Sequence, residues 1–345
     1  MTFRRQLSWT SAPLIVNAPM GDFAGPELAA AVSGAGGLGM IGAMLDPIVL
    51  GEQLEQASGL LDGARANSNG NLQIGVGLLL FALTKKRSEM IQVLAKYKPA
   101  VVWLFAETQL SDYSTWASEI RESLPGSQIW IQTGSVVGAL EIARGAKPDV
   151  LVMQGTDAGG HGWERGAGIV SLVPETKDSL AREGLDVAVV ASGGIVDGRG
   201  AAAAFALGAE AVVMGTRFLA SREVTIHPKY QQQILEARDG GQQTVRAKVF
   251  DELRGPNIWP GAYNGRALLS RSFEDHSSGV DQGEIRARHA EALAQADKGW
   301  GDSRRAVVWS GTGVGLVNEV LPAAEIVRQV RDGVQQVFRH VDTQW

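Results

Sequence analysis

The chain is expected to fold as an α/β (β/α)8 TIM barrel with a smaller, mainly helical second domain. Three observations predict this. Apolar runs recur eight times between residues 13 and 218, with the near-continuity of parallel strands covered on both faces. Helical patterns alternate with them, giving units of roughly 26 residues, near the compact end for a barrel of ~200–250 residues. Many of the glycine-rich loops follow strands, as expected where a barrel gathers its ligands at the C-terminal face. A doubly wound open sheet is the alternative reading of the same alternation.

The first strand is read at 13–19 (PLIVNAP), followed by a helix over 26–33 with Pro26 in its first turn, where a missing N–H costs nothing. A short strand over 35–43 and a helix over 47–58 follow, then a polar, glycine-containing surface loop at 61–70. Residues 72–80 form the third strand and 85–96 an amphipathic helix. The fourth strand is 100–105, its helix 113–124, and Pro125-Gly126 ends that helix. The fifth strand is 128–134 with a helix over 136–144, and the sixth begins at Val150. A helix over 171–183 keeps Pro174 in its first turn. The seventh strand is 186–195, an alanine-rich helix spans 199–207, and the eighth strand is 210–218.

From Ser221 the period changes, with helices expected at 227–238, 266–273 and 284–295, and breakers at Gly255-Pro256 and Trp259-Pro260-Gly261. Residues 222–302 are therefore read as a helical subdomain at the barrel mouth. Residues 1–221 and 303–345 form the barrel, the last helix (323–338) packing on it.

Composition narrows the function. The 345 residues are 45% hydrophobic and 20% charged, an ordinary soluble profile. A net charge of -5 without a basic block does not support nucleic-acid binding. No sustained apolar segment precedes Pro13, so no signal peptide is expected, and no apolar stretch is long enough for a membrane span. A cytoplasmic location is expected, with organelle targeting left open. The absence of cysteine removes disulfides, thiolate metal sites, iron–sulfur clusters and any cysteine nucleophile.

Two constellations carry chemistry. In DVLVMQGTDAGGHGW (149–163), an apolar strand stops at Gln154 and enters a small-residue loop holding Asp157 and His161. His161 closes a glycine loop at a barrel strand end, where catalytic residues collect, and is read as a general base. Asp157 either orients it or caps the loop. Ser192-Gly193-Gly194 and Met214-Gly215-Thr216 end the last two strands, where barrels frequently hold a phosphate, and helix N-termini would add a favourable dipole. His227, His276, His289 and His340 are read as surface or satisfied core residues, and Trp103 and Phe105 as core, with the alternative that one of them faces the pocket from the C-terminal end of its strand. No second histidine or paired carboxylate lies at ligand spacing, so no metal is expected. GTGVGL (311–316) lacks a following βαβ unit and is read as a loop rather than a dinucleotide fingerprint.

Taken together, APMGDFAGPELAAAVSGAGGLGMIG, QGTDAGGHG and ASGGIVDGRGAAAAFALGAEAVVMGTRF resemble the nitronate monooxygenase (2-nitropropane dioxygenase) family, and GVGLLLF with AVVWLFA is similar to its fungal-type branch. The resemblance implies an FMN-containing TIM barrel with His161 as the catalytic histidine. It implies Ala18, Pro19 and Met20 along the flavin ring, and Gln73 and Gln132 at strand ends near the isoalloxazine or ribityl chain, with Gln154 beside them. Gly159 would approach the cofactor, and Gly193, Gly194, Gly215 and Thr216 would take its phosphate. Gln132 is a neutral amide where some relatives place a lysine, which leaves open what stabilises a reduced flavin. The implied reaction is oxidation of an alkyl nitronate, such as propionate 3-nitronate, by O2 through a flavin semiquinone to a carbonyl compound and nitrite. The implied partners are this small-molecule substrate and O2, and a homodimer is left open. An NAD(P)H-dependent flavin reductase of quinones or enoyl thioesters is the alternative on the same scaffold. A non-catalytic FMN-binding protein is a third.

Overall fold

The computed structural model describes residues 6–42, 45–61 and 70–344. The surface loop expected at 61–70 falls largely outside them. Eleven strands are found among the described residues: β1 (Ile15–Asn17), β2 (Met40–Ile41), β3 (Leu72–Leu79), β4 (Pro99–Phe105), β5 (Gln128–Thr133), β6 (Val150–Gln154), β7 (Gly160–Trp163), β8 (Ala188–Ser192), β9 (Val212–Met214), β10 (Thr244–Ala247) and β11 (Tyr263–Leu268). Eight form one parallel sheet in the order β1-β9-β8-β6-β5-β4-β3-β2. A parallel bridge from Val16 to Leu38 brings its two edges together and makes it a TIM barrel.

The apolar continuity of the strands has a direct cause. Val102, Leu104, Ile129, Ile131 and Leu151 face the surrounding helices, whereas Val101, Trp103, Trp130, Val150, Val152 and Val190 form a second cluster filling the barrel interior. Both strand faces are therefore buried, as period-2 alternation of apolar with apolar requires. Trp103 and Trp130 lie side by side inside, ring centroids 6.1 Å apart. Their buried indole N–H groups donate to Gln132 Oε1 (3.0 Å) and Gln128 Oε1 (2.9 Å), so neither is left unpaired.

Four elements differ from the sequence reading. The second strand contracts to Met40–Ile41, because Gly36 and Gly37 are spent on the turn after the first helix; Gly39 lies against Ala29 of that helix while its carbonyl still accepts from the Gly75 N–H of β3. Pro174 lies inside the helix Ile169–Arg182, not in its first turn. The carbonyl it leaves without an N–H partner belongs to Val170, an exposed residue whose carbonyl can turn to water. The eighth barrel helix is absent from 13–218. A short 3-10 turn (Thr216–Ala220) leads into the subdomain, and the terminal helix Ala323–Asp342 returns to pack against helices Gly198–Ala206 and Pro26–Gly34.

The fourth difference bears on function. Residues 266–273, expected as a helix, are the end of β11 followed by helix Arg271–Ser277, which Ser270 caps. β11 pairs antiparallel with β10 on one side and with β7 on the other. Cross-strand pairing overrides the local helix preference of Arg-Ala-Leu-Leu. The subdomain segment is thus helices plus a ribbon of strands, and that ribbon draws the loop after β6 into β7.

Candidate active site

A single cavity of about 1150 Å³ opens at the C-terminal ends of the barrel strands. It exceeds the ~300–1,000 Å³ usual for one small ligand. Ala18, Pro19 and Met20 after β1, Gln132 on β5, Gln154 on β6, Gly193 and Gly194 after β8, and Gly215 and Thr216 after β9 all line it, as do Gly159 and His161. The structure does not bring Gln73 to this group. It is the second residue of β3, buried at the opposite end of the barrel from the cavity. Trp103 and Phe105, read as core, are both buried and still present surface to the cavity.

The loops after β8 and β9 form a cradle of backbone. Gly193 and Gly194 have φ of 104° and 75°, in the region that L side chains rarely adopt. A Cβ would stand 2.8 Å from the Gly155 carbonyl oxygen at the first and 2.9 Å from Asp157 Cβ at the second. The Thr216 hydroxyl accepts from the Gly311 N–H (3.0 Å), which leaves its proton free to donate. At the start of the helix following β8, Asp197 is the N-cap and accepts from the N–H groups of Arg199 and Gly200, so those two donors are already engaged.

Asp157 does not reach His161. Its carboxylate accepts from the Thr312 hydroxyl (3.1 Å) and its carbonyl from the Thr312 N–H (3.0 Å). It ties the loop after β6 to the 311–316 segment. That segment, read as a plain loop, forms a 3-10 turn (Thr312–Leu316), and Gly311 and Gly313 wall the cavity. Gly159 abuts it too. A Cβ there would lie 2.4 Å from Gly311 N, so its smallness serves the approach of chain to chain.

His161 sits on β7 opposite Gly265 of β11. Its Nε2 lies 2.6 Å from Asp251 Oδ1, and both side chains are largely buried, 15% and 6% exposed. Trp259 stacks on the imidazole at 3.6 Å with planes 7° apart, and Trp309 leans on it at 4.7 Å. The Gln154 amide donates to the His161 carbonyl (3.0 Å), holding the backbone from the barrel side. From the subdomain, Arg246 donates to the Ala158 carbonyl (3.2 Å) and Arg266 to that of Thr156 (3.2 Å). Burial, with the neighbouring charge of Arg266, pushes Arg246 down to about 10. Tyr263 donates to the buried Glu107 carboxylate (2.6 Å), locking β11 to the end of β4, and burial raises its own pKa. Because the Trp103 indole can only donate, Gln132 must present its oxygen there and turn its NH2 elsewhere.

Asp251, Trp259, Trp309, Gly265 and Glu107 escaped the sequence reading. A weak signal existed for Trp259 and Trp309, each beside a Gly- or Pro-rich turn. None existed for Asp251, 90 residues from its partner. Gly265 is testable at once. A Cβ there would lie 2.3 Å from Trp309 Cζ3, so Gly265→Ala must push that ring off His161. Turnover should fall up to about a hundredfold with the protein still folded. An unchanged steady-state rate would remove the Trp309 wall from the site.

The description "nitronate monooxygenase" matches residues 81–333, which include His161, Asp251, Trp259 and Trp309. The chain belongs to the nitronate monooxygenase family. It is 41% identical over 343 residues to a nitronate monooxygenase of Metarhizium robertsii, covering 98% of this chain and 95% of that one. It is 38% identical to a nitronate monooxygenase of Neurospora crassa, covering 97% and 93%. Its fold is similar to that of FabK from Thermotoga maritima, with a TM-score of 0.78, 27% identity, and 99% and 98% of the two chains covered. Membership of the nitronate monooxygenase family makes the protein an oxidoreductase of nitronates, for which a flavin is the expected cofactor. No described helix is long and apolar enough to cross a membrane.

Proposed function

We propose that the cavity binds FMN and that the enzyme oxidises alkyl nitronates such as propionate 3-nitronate, with O2, to a carbonyl compound and nitrite. The observation that carries this reading is the His161–Asp251 pair, held under Trp259 within the same cavity as the glycine loops. The cradle fits a phosphate. Side chains at Gly193 and Gly194 would collide with the loop after β6, and the Thr216 proton is free. Gln132 and Gln154, with Ala18, Pro19 and Met20, would flank the flavin ring. Bound FMN supplies the one-electron acceptor and the route of electrons to O2.

The chain's own residues do the rest. Asp251 accepts the Nε2 proton of His161 and so leaves Nδ1 as the ring's basic atom. For a neutral nitroalkane, Nδ1 takes the α-proton, and Asp251 steadies the imidazolium that forms. For a preformed nitronate, the same pair faces the anion as donor and electrostatic partner. Trp259, Trp309 and Phe250 exclude water around it, which strengthens both interactions.

The test is anaerobic mixing of the yellow protein with propionate 3-nitronate and, separately, with NADH. Flavin reduction by the nitronate is the expected result. Reduction by NADH with none by nitronate would instead make the enzyme a flavin reductase, a reading to which the likeness to FabK lends weight.

A further inference from the structure

Among the described residues that line the cavity, the only lysine or arginine is Arg254, which belongs to the subdomain. The barrel side therefore meets a bound flavin with uncharged groups, and Gln132 stands apart among them. It is only 7% exposed, near the C-terminal end of β5. Hydrogen bonds fix it from both sides of the barrel wall. From inside, the Trp103 indole N–H donates to Oε1 (3.0 Å). From helix Ser111–Ser123, outside, the Tyr113 hydroxyl donates to the Gln132 carbonyl (3.2 Å). An indole has no acceptor, so a turned carboxamide would set N–H against N–H, and only one orientation is left. Nε2 meets no acceptor among the described residues, yet it is not sealed in the core, so the NH2 opens on the cavity that Gln132 lines. Gln154, the other amide there, already donates to the His161 carbonyl (3.0 Å).

A donor held without a partner in the wall of a cavity is organised for an acceptor that arrives with the ligand. We propose that Trp103 is a positioning residue that locks Gln132 as a fixed, uncharged donor to bound FMN, and that this lock raises the flavin's reduction potential. The proposal rests on the FMN reading above and is independent of which substrate reduces the flavin. Two electrons and one proton added to a flavin ring leave it one net negative charge, so a donor beside it favours the reduced form over the oxidised one. A free amide would spend part of its time with Oε1 towards that charge. Trp103 removes that alternative, because turning the amide would leave two buried donors facing each other. Trp130, beside Trp103 at 6.1 Å, has no such role: its N–H donates to Gln128 at the far end of β5 (2.9 Å).

The test is the midpoint potential of the bound FMN, read against a reference dye during anaerobic reduction by dithionite. It compares wild type with Trp103→Phe, Trp130→Phe, Gln132→Met and the double variant Trp103→Phe/Gln132→Met. Trp103→Phe should shift the equilibrium towards oxidised flavin about three- to tenfold, a fall of up to about 30 mV for a two-electron couple. Gln132→Met should shift it about 10- to 100-fold, as loss of a hydrogen bond to a charged group does. Adding Trp103→Phe to Gln132→Met should change the potential no further. Trp130→Phe, which also removes a buried indole N–H, should leave it unaltered. The double variant orphans no indole N–H, so it reports loss of the amide even if Gln132→Met alone folds poorly. An unchanged potential in Trp103→Phe, or an equal fall in Trp130→Phe, would overturn the lock. A wild type that purifies without FMN and takes up none when it is added would sink the cofactor reading and the lock together. If the potentials fall as expected but propionate 3-nitronate leaves the flavin oxidised, the nitronate reading fails and the lock stands.

Discussion

His161→Asn should abolish most turnover of neutral nitroethane, by about 10²–10⁴-fold, while leaving FMN bound. Asparagine keeps an N–H that can point at Asp251 but has no basic nitrogen at neutral pH, so α-proton removal is lost. The flavin should remain, because the glycine loops that would hold its phosphate are separate from β7. Preformed ethyl nitronate has already lost that proton, and its oxidation should suffer much less. Oxygen consumption with the two substrates measures the difference directly. Nitroethane turnover at the wild-type rate would take His161 out of the mechanism.

Gly194→Val should yield a folded protein that purifies colourless. The residue has φ of 75°, and a β-branched side chain is strained there by on the order of 1–3 kcal/mol. Its Cβ would also stand 2.9 Å from Asp157 Cβ, shifting the loop that shapes the cradle. Losing one or two charge-assisted contacts to a phosphate weakens binding by about 100-fold or more. The flavin-to-protein ratio after gel filtration reads the effect, and circular dichroism checks that the barrel survives. A variant as yellow as wild type would remove the phosphate from this cradle.

The barrel was legible because its signal is local and repeated. Each strand is an apolar run buried on both faces, and each ends in small residues, so Val150–Gln154 and Ala188–Ser192 could be placed to within three residues. The glycine loops and His161 were legible for the same reason, since they sit where the runs end. Legibility failed where an element's partner is distant. β11 looks helical by itself and becomes a strand only through β7 and β10. Gln73 was assigned to a strand end, which sequence supports, but to the wrong one of the two.

By itself, then, the sequence determined the fold class, the eight barrel strands, and the position of the glycine loops and His161 beyond the ends of three of them. All of these depend on patterns within some thirty consecutive residues. Tertiary structure alone decided what His161 works with. Asp251, Trp259 and Trp309 come from 90 to 148 residues away and share no pattern with it. They meet because β11 carries a glycine where Trp309 must lie, and because Glu107 and Tyr263 fasten that strand to the barrel. Asp157, in the same loop as the histidine, was the nearer candidate, yet its carboxylate is engaged by Thr312. Sequence proximity sets which groups share a loop, whereas hydrogen bonding across the assembled subdomain sets which of them touch.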